Sequence, residues 1–121
     1  MNDDVRVVLT EWFDADLRRL DEAQRGRIRE RIRTLERKGW RASASNRDIA
    51  ELENDIWEIR VVGSGPAFRC LFFVVPGVPG RAAVLTACVS KASIKRQRVM
   101  AAEIKRAEAR RAQWLTREGI R

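Results

Sequence analysis

The sequence predicts an α+β domain, in which a small, mostly antiparallel sheet packs against an N-terminal helical hairpin and a basic C-terminal helix. Three β-type segments, at residues 56–62, 67–75 and 82–90, are separated only by Gly- and Pro-rich turns at 63–66 and 76–80. Such short turns leave no room for a crossover helix, so the three strands are expected to be antiparallel neighbours. Apolar residues at helical spacing before and after these three strands predict helices at both ends of the chain, which gives the α+β class.

The N-terminal part begins with a predicted strand and a capped helix. Residues 5–9 are short, β-branched and apolar, which favours a strand. Thr10 can cap a helix over residues 11–20, because its hydroxyl can accept a hydrogen bond from a free amide of the first turn. One face of this helix carries apolar residues at the i, i+4, i+7 positions, namely Phe13, Leu17 and Leu20.

A second helix follows directly. Asp21 and Gln24 have the spacing of a capping box, in which each side chain accepts from the other residue's amide. The helix is expected to end at Lys38–Gly39, a basic last turn followed by a glycine. Residues 42–46 (ASASN) are predicted to form a loop. The apolar face of the second helix consists of Ile28, Ile32 and Leu35.

Beyond Ser93 the pattern predicts one long, strongly basic helix. Its apolar side carries Met100, Ile104, Ala107 and Trp114. Residues 91–121 contain ten Lys or Arg and three Glu, so this segment holds most of the net charge of +8. A basic end of this kind indicates a polyanion partner, with RNA or DNA ahead of a membrane surface, although a merely solvated face remains an alternative. The candidate nucleic-acid-binding residues are Lys95, Arg96, Arg98 and Lys105.

Composition restricts the classes of protein to which the chain can belong. Its 121 residues suit a single domain over 1–121, and no apolar run reaches the length of a membrane span. The first residues lack the order of a signal peptide, so a cytoplasmic protein is expected. Cys70 and Cys88 lie in apolar segments and are expected to be free thiols. With no histidine and two isolated cysteines, we expect neither a metal site nor a cofactor.

Two arginines on neighbouring strands are the most informative feature. Glu58 and Arg60 alternate onto one face of their strand, and Arg69 lies near the start of the next strand. Guanidinium groups close to a small core need either ion-pair partners or an anionic ligand, so a Glu58 ion pair and an anion site both remain open. The residues expected in the core are Leu35, Trp57, Leu71, Phe72 and Leu85.

These residues resemble a known family. The order of a strand, a helical hairpin, an Ile-Trp-Glu-Ile-Arg strand, a Phe-Arg strand, a strand followed by lysine and a basic helix is similar to the RelE/ParE toxin superfamily, and most similar to its HigB-like, phage-derived members. The matching residues are Leu52, Ile56, Trp57, Glu58, Ile59, Arg60, Phe68, Arg69, Phe72, Phe73, Val84, Leu85 and Lys91.

The resemblance implies the toxin of a type II toxin–antitoxin pair, which cleaves messenger RNA in the ribosomal A site without a metal. The implied partners are the ribosome with its messenger RNA and a cognate antitoxin, often a helix-turn-helix protein, and no membrane is implied. Arg60, Arg69 and Lys91 would stabilise the charge on the phosphate. Proton transfer would fall to Glu58 or to a lysine, either Lys91 or Lys95.

The chain also departs from the family pattern. It has Trp57, Phe68 and Phe72 where members commonly carry tyrosine, and it has no histidine. Related toxins of the ParE branch lack the nuclease residues and act on DNA gyrase. A non-nuclease toxin that acts by protein contact, and a catalytically silent relative that binds nucleic acid or a partner, therefore remain alternatives to the endoribonuclease.

Overall fold

The computed structural model describes residues 2–63, 65–77 and 79–119, and it confirms the α+β class. Within these residues a five-stranded sheet has the order β1-β5-β4-β3-β2. The strands are β1 (Val5–Leu9), β2 (Ile49–Glu53), β3 (Ile56–Val61), β4 (Phe68–Pro76) and β5 (Arg81–Ser90). The helices are α1 (Glu11–Arg18), α2 (Glu22–Lys38), α3 (Trp40–Ser45), α4 (Lys91–Ile94) and α5 (Gln97–Glu118). None of the described helices combines the length and the apolar character that crossing a bilayer requires.

The sheet is mostly antiparallel, as the short turns predict. β3 pairs antiparallel with β4, and β4 pairs antiparallel with β5, so the central meander is confirmed. β1 is the exception, because it pairs in parallel with the first half of β5. The two predicted turns include Ser64 and Val78, which lie outside the described residues.

Helices cover both faces of this sheet, so the core has two parts. On one face α1 and α2 pack against β3, β4 and β5, and the buried cluster there includes Phe13, Ile28 and Phe72. On the other face α5 packs over Leu71 and Phe73. The alternation of side chains along each strand separates the two clusters, since successive residues point to opposite faces.

The predicted caps of α1 and α2 are confirmed. The Thr10 hydroxyl accepts from the Phe13 amide at 3.3 Å. Asp21 and Gln24 form the reciprocal capping box, with distances of 2.8 and 3.1 Å. These contacts satisfy amides that the first turn of each helix leaves without a partner.

The loop predicted for residues 42–46 is wrong, because residues 42–45 belong to helix α3 and Asn46 caps its end. Two contacts with the N-terminal segment start this helix: the Asp3 carbonyl accepts from the Trp40 amide, and its carboxylate accepts from the Arg41 amide. Trp40 then packs edge-on against Trp57, with ring centroids 4.7 Å apart. Tertiary contacts of this kind override a polar, loop-like composition.

Strand β2 is not among the predicted elements. It pairs antiparallel with β3 as the edge of the sheet, and Glu51 and Glu53 are exposed. Asn54 and Asp55 connect the two strands with φ of 54° and 61°, the left-handed conformation of a tight two-residue hairpin. The acidic residues of this edge concealed its alternation.

The single terminal helix predicted from Ser93 is in fact two helices. α4 is one short turn that begins at Lys91, and α5 begins at Gln97 after an extended Arg96 (ψ 129°). The predicted apolar side is otherwise correct, since Ile104 and Ala107 are buried and Met100 and Trp114 pack beside them.

Four of the five expected core residues are buried, and Trp57 is the exception. It is partly exposed because it lies between Trp40 and Phe72 and beside the edge strand. Cys70 and Cys88 are both free thiols; Cys70 is buried and Cys88 is partly exposed.

Candidate functional site

The three charged residues of the central strands lie on one face of the sheet. Glu58 is opposite Leu71, Arg60 is opposite Arg69, and residues directly opposite in an antiparallel pair point to the same side. This is the face that α5 covers, because Leu71 belongs to the cluster packed against that helix. The alternation seen in the sequence therefore predicts the common face of Glu58 and Arg60 correctly, and the register adds Arg69 to it.

Glu58 joins the two arginines. Its side chain is 5% exposed; Oε2 accepts from Arg60 Nε at 3.0 Å, and Oε1 lies 3.4 Å from Arg69 Nε. Arg69 is also buried, and its Nη1 donates to the Phe68 carbonyl at 3.1 Å. The ion pair that the sequence left open is thus present, and it holds both guanidinium groups from one central carboxylate.

The end of β5 brings lysines to the same place. The Lys91 amide donates to the Ala67 carbonyl at 2.9 Å, which fixes the start of α4 beside the start of β4. Lys91 and Lys95 are four residues apart, and both side chains are exposed. Neither lysine forms an ion pair with any residue in the described ranges, whereas Arg60 and Arg69 both do.

These elements enclose a cleft of about 210 Å³ with two kinds of wall. The polar wall consists of Glu58, Arg69, Lys91 and Lys95. The apolar wall consists of Leu52 from the edge strand, Ile94 from α4 and Met100 from α5. A small cleft with a cationic wall and an apolar wall can hold a phosphate group on one side and a flat, weakly polar group on the other.

Charge strongly favours an anion in this cleft. The lining sets one carboxylate against Arg69 and two lysines, and the lysines meet solvent without a partner among the described residues. Arg60 contacts the same carboxylate but does not line the cleft. Arg60 is 37% exposed and uses only Nε toward Glu58, so its two terminal nitrogens have no hydrogen-bond partner in the described part of the chain. A guanidinium has five donors, and such a group can still bind a phosphate.

The candidate residues of the basic helix separate into two groups. Lys95 lines the cleft beside Lys91, while Arg96, Arg98 and Lys105 are exposed and lie outside its lining. Sequence reasoning did not assign Leu52, Ile94 or Met100 to the site. Met100 was identifiable as an apolar helix position and Leu52 as part of the family motif. Ile94 could not be assigned from the sequence, because its position depends on the short helix α4.

No metal-binding cluster is apparent in the region that the structure describes, where no three Cys, Asp or Glu side chains converge.

A family model described as phage-derived protein Gp49-like (DUF891) matches residues 15–112, and the chain belongs to this family, which is of the RelE toxin type. The match spans every residue of the cleft. No curated protein and no solved structure shows a significant match to the chain.

Proposed function

We propose that this Gp49-like protein is the toxin of a type II toxin–antitoxin pair, of the HigB-like kind, and that it cleaves messenger RNA on the ribosome without a metal ion. The observation that carries the proposal is the cleft where Glu58, Arg69, Lys91 and Lys95 meet. Membership in a RelE-type family is compatible with a toxin, and cleavage of RNA is the part that we propose beyond it.

The proposed reaction is a transfer within the RNA backbone. A ribose 2′-oxygen bonds to the adjacent phosphorus, the bond to the 5′-oxygen of the next nucleotide breaks, and a 2′,3′-cyclic phosphate remains. Negative charge accumulates on the phosphate oxygens in the transition state. Arg69 and Lys91 are available to stabilise that charge, and Arg69 does so from a position that Glu58 holds in advance.

Proton transfer is assigned to groups of the cleft whose hydrogen-bonding capacity is not fully used. Each oxygen of Glu58 contacts one arginine, and a carboxylate has about four acceptor sites, so Glu58 keeps capacity to accept the 2′-hydroxyl proton. Lys91 and Lys95 are exposed ammonium groups at the same cleft, and either one can donate a proton to the leaving 5′-oxygen.

The remaining exposed cations suit binding rather than chemistry. Arg96, Arg98 and Lys105 stand along the start of α5, outside the cleft. We assign them to the phosphates of messenger or ribosomal RNA, whose binding by Lys and Arg is driven largely by counterion release. The proposal also requires a cognate antitoxin, a helix-turn-helix protein, which neutralises the toxin in the cytoplasm.

One observation favours a second candidate. Both oxygens of Glu58 already contact arginine, and a network of this kind can serve the fold without any substrate. In that case the protein would act by protein contact, on DNA gyrase as ParE-type toxins do, and the arginines would matter only for stability.

Inducible expression of Arg69→Ala beside the wild type tests the proposal. Arg33→Ala is the matched control, because Arg33 is exposed on α2 and only pairs with Glu30. We expect wild type and control to stop growth and to cut messenger RNA on purified ribosomes, as mapped by primer extension. Arg69→Ala should lose about 10²–10³ in cleavage rate, and Arg69→Lys should not restore it, since lysine lacks the planar fork.

Two results would reject the nuclease. One is a soluble, folded Arg69→Ala protein that remains fully toxic. The other is a wild type that stops growth while messenger RNA stays intact and DNA is damaged first, which would support the gyrase-directed toxin.

A further inference from the structure

Two cysteines face each other across neighbouring strands, on the opposite face of the sheet from the cleft. Cys70 of β4 and Cys88 of β5 are direct partners in the antiparallel register. Cys70 follows Arg69 in the chain, and Cys88 lies three residues before Lys91. Both are free thiols in the structure.

The pair occupies a position where side chains approach closely. The Cys88 amide donates to Asp16 Oδ2 of α1 at 2.9 Å, whereas the Lys91 amide, three places further along the same register, donates to Ala67, and hydrogen-bonded and non-hydrogen-bonded pairs alternate along the ladder. The backbone of Cys88 therefore does not hydrogen-bond Cys70, so the two form a non-hydrogen-bonded pair. At such pairs the Cα atoms are about 4.5 Å apart, within the range of about 4.4–6.8 Å that a disulfide spans.

The two thiols also differ in access. Cys70 is fully buried, and its side chain hydrogen-bonds that of Cys88. Cys88 is partly exposed and lines a cavity of about 250 Å³, together with Ser90, Ser93 and Arg106. A small oxidant can thus reach Cys88 first, while Cys70 is already in contact to complete the reaction. The hydrogen bond that the Cys70 thiol donates to Cys88 and the burial of Cys70 raise the pKa of Cys70, which keeps it protonated until then.

We propose that Cys70 and Cys88 form a modification site, at which a small-molecule disulfide converts the two thiols into an intrachain disulfide. The Cys88 thiolate attacks one sulfur of the oxidant, whose S–S bond breaks and releases a thiol. Cys70 then gives up its proton and attacks the Cys88 sulfur, and the second thiol leaves. The two cysteines lose two electrons and two protons, and one oxidant disulfide becomes two thiols.

The bond would join β4, which carries Arg69, to β5, which leads directly into Lys91 at the start of α4. Because the pair is already in register, it forms without a shift of either strand. It closes a loop between residues 70 and 88, which raises stability chiefly by restricting the unfolded chain. The inference rests on strand geometry and access, so it holds whether or not the cleft cuts RNA.

The test equilibrates the reduced, native protein with a series of glutathione and glutathione-disulfide mixtures. Thiols are then trapped by alkylation, and the products are identified by intact mass and peptide mapping. We expect the wild type to form the Cys70–Cys88 bond without a glutathione adduct, and to melt about 10 °C higher than the reduced protein until dithiothreitol is added.

Two single variants report the order of events. Cys70→Ala should accumulate one glutathione on Cys88, because no second thiol is present to displace it. Cys88→Ala should stay unmodified, because Cys70 is buried. Wild-type protein alone suffices to overturn the proposal: two thiols that remain free across the series, a stable glutathione adduct at Cys88, or cross-linked chains would each do so.

Discussion

Replacing Glu58 by alanine should destabilise the protein more than replacing either arginine. Its carboxylate is 5% exposed and contacts both guanidinium groups, so its removal leaves Arg69 buried without a charge partner. Removing one member of a buried ion pair typically costs about 3–5 kcal/mol. A domain of this size has about 5–15 kcal/mol of stability in total, so Glu58→Ala should fold but unfold much more easily.

The two arginines should cost less, and in a definite order. In Arg69→Ala the carboxylate keeps its 3.0 Å contact with Arg60 Nε, so we expect a loss of about 2–3 kcal/mol. Arg60 is 37% exposed, and water screens its contact with Glu58. Arg60→Ala should therefore cost about 0–1 kcal/mol, the range of exposed pairs.

Urea denaturation of the three variants, followed by tryptophan fluorescence, measures these free energies. Arg33→Ala serves as the control, since its ion pair with Glu30 is fully at the surface and should contribute little. Two results would contradict these values: a free energy of unfolding for Glu58→Ala within about 0.5 kcal/mol of the wild type, or a larger loss of stability in Arg60→Ala than in Arg69→Ala.

Three further outcomes are expected. In urea denaturation, Gly39→Ala should lower the free energy of unfolding by about 1–3 kcal/mol, because φ is +86° and a Cβ would lie 2.8 Å from Asp3 Oδ2. Gly26→Ala, where a Cβ would meet nothing within 4 Å, should raise the free energy of unfolding by about 0.5–1 kcal/mol. Changes of the same sign in the two variants would contradict this. The hydrogen bond that the Cys70 thiol donates to Cys88 and the burial of Cys70 raise its pKa, so the unfolded chain ionises first above about pH 9, and stability should fall by up to about 1.4 kcal/mol per pH unit until the folded protein ionises too. In denaturation curves across that pH range Cys70→Ala should lose this extra slope, and an unchanged slope would refute the prediction. Single alanine variants should bind single-stranded RNA with a weaker dependence on salt, and the slope of log affinity against log salt should be shallower by about 0.7 in fluorescence anisotropy. The positions are the exposed residues Lys95, Arg96, Arg98 and Lys105. Unchanged slopes would reject their assignment as RNA contacts.

The sequence predicts those features of the site that follow from the alternation of side chains along a strand. Alternation within β3 places Glu58 and Arg60 on one face, and the short turn implies that the strand carrying Arg69 is an antiparallel neighbour. The distances that join them to one carboxylate follow from register, and register was not deducible from the turns. The sequence accordingly left both an ion pair and an anion site open.

The rest depended on contacts between distant residues. Helix α3 starts because Asp3, far away in the chain, accepts from two of its amides. The short turn α4 starts where the Lys91 amide reaches Ala67 across the end of the sheet. No local pattern signals either contact. That second contact fixes the start of α4, and the extended Arg96 separates α4 from α5, so Lys91 and Lys95 lie on one wall of the cleft.

Stability and the proposed chemistry act through different members of the same cleft, and this separates the two candidate functions. Glu58 and Arg69 are buried and mutually paired, so changing either alters folding and any phosphate contact together. Lys91 is exposed and pairs with no carboxylate in the described ranges, so its removal should leave the fold almost unchanged. If Lys91→Ala melts like the wild type and yet loses toxicity, the cleft itself carries the function. Because Lys95 lines the same cleft and can replace Lys91 as the proton donor, the decisive variant is Lys91→Ala/Lys95→Ala. If that double variant keeps full toxicity, the arginine network serves the fold, and the protein acts through another surface.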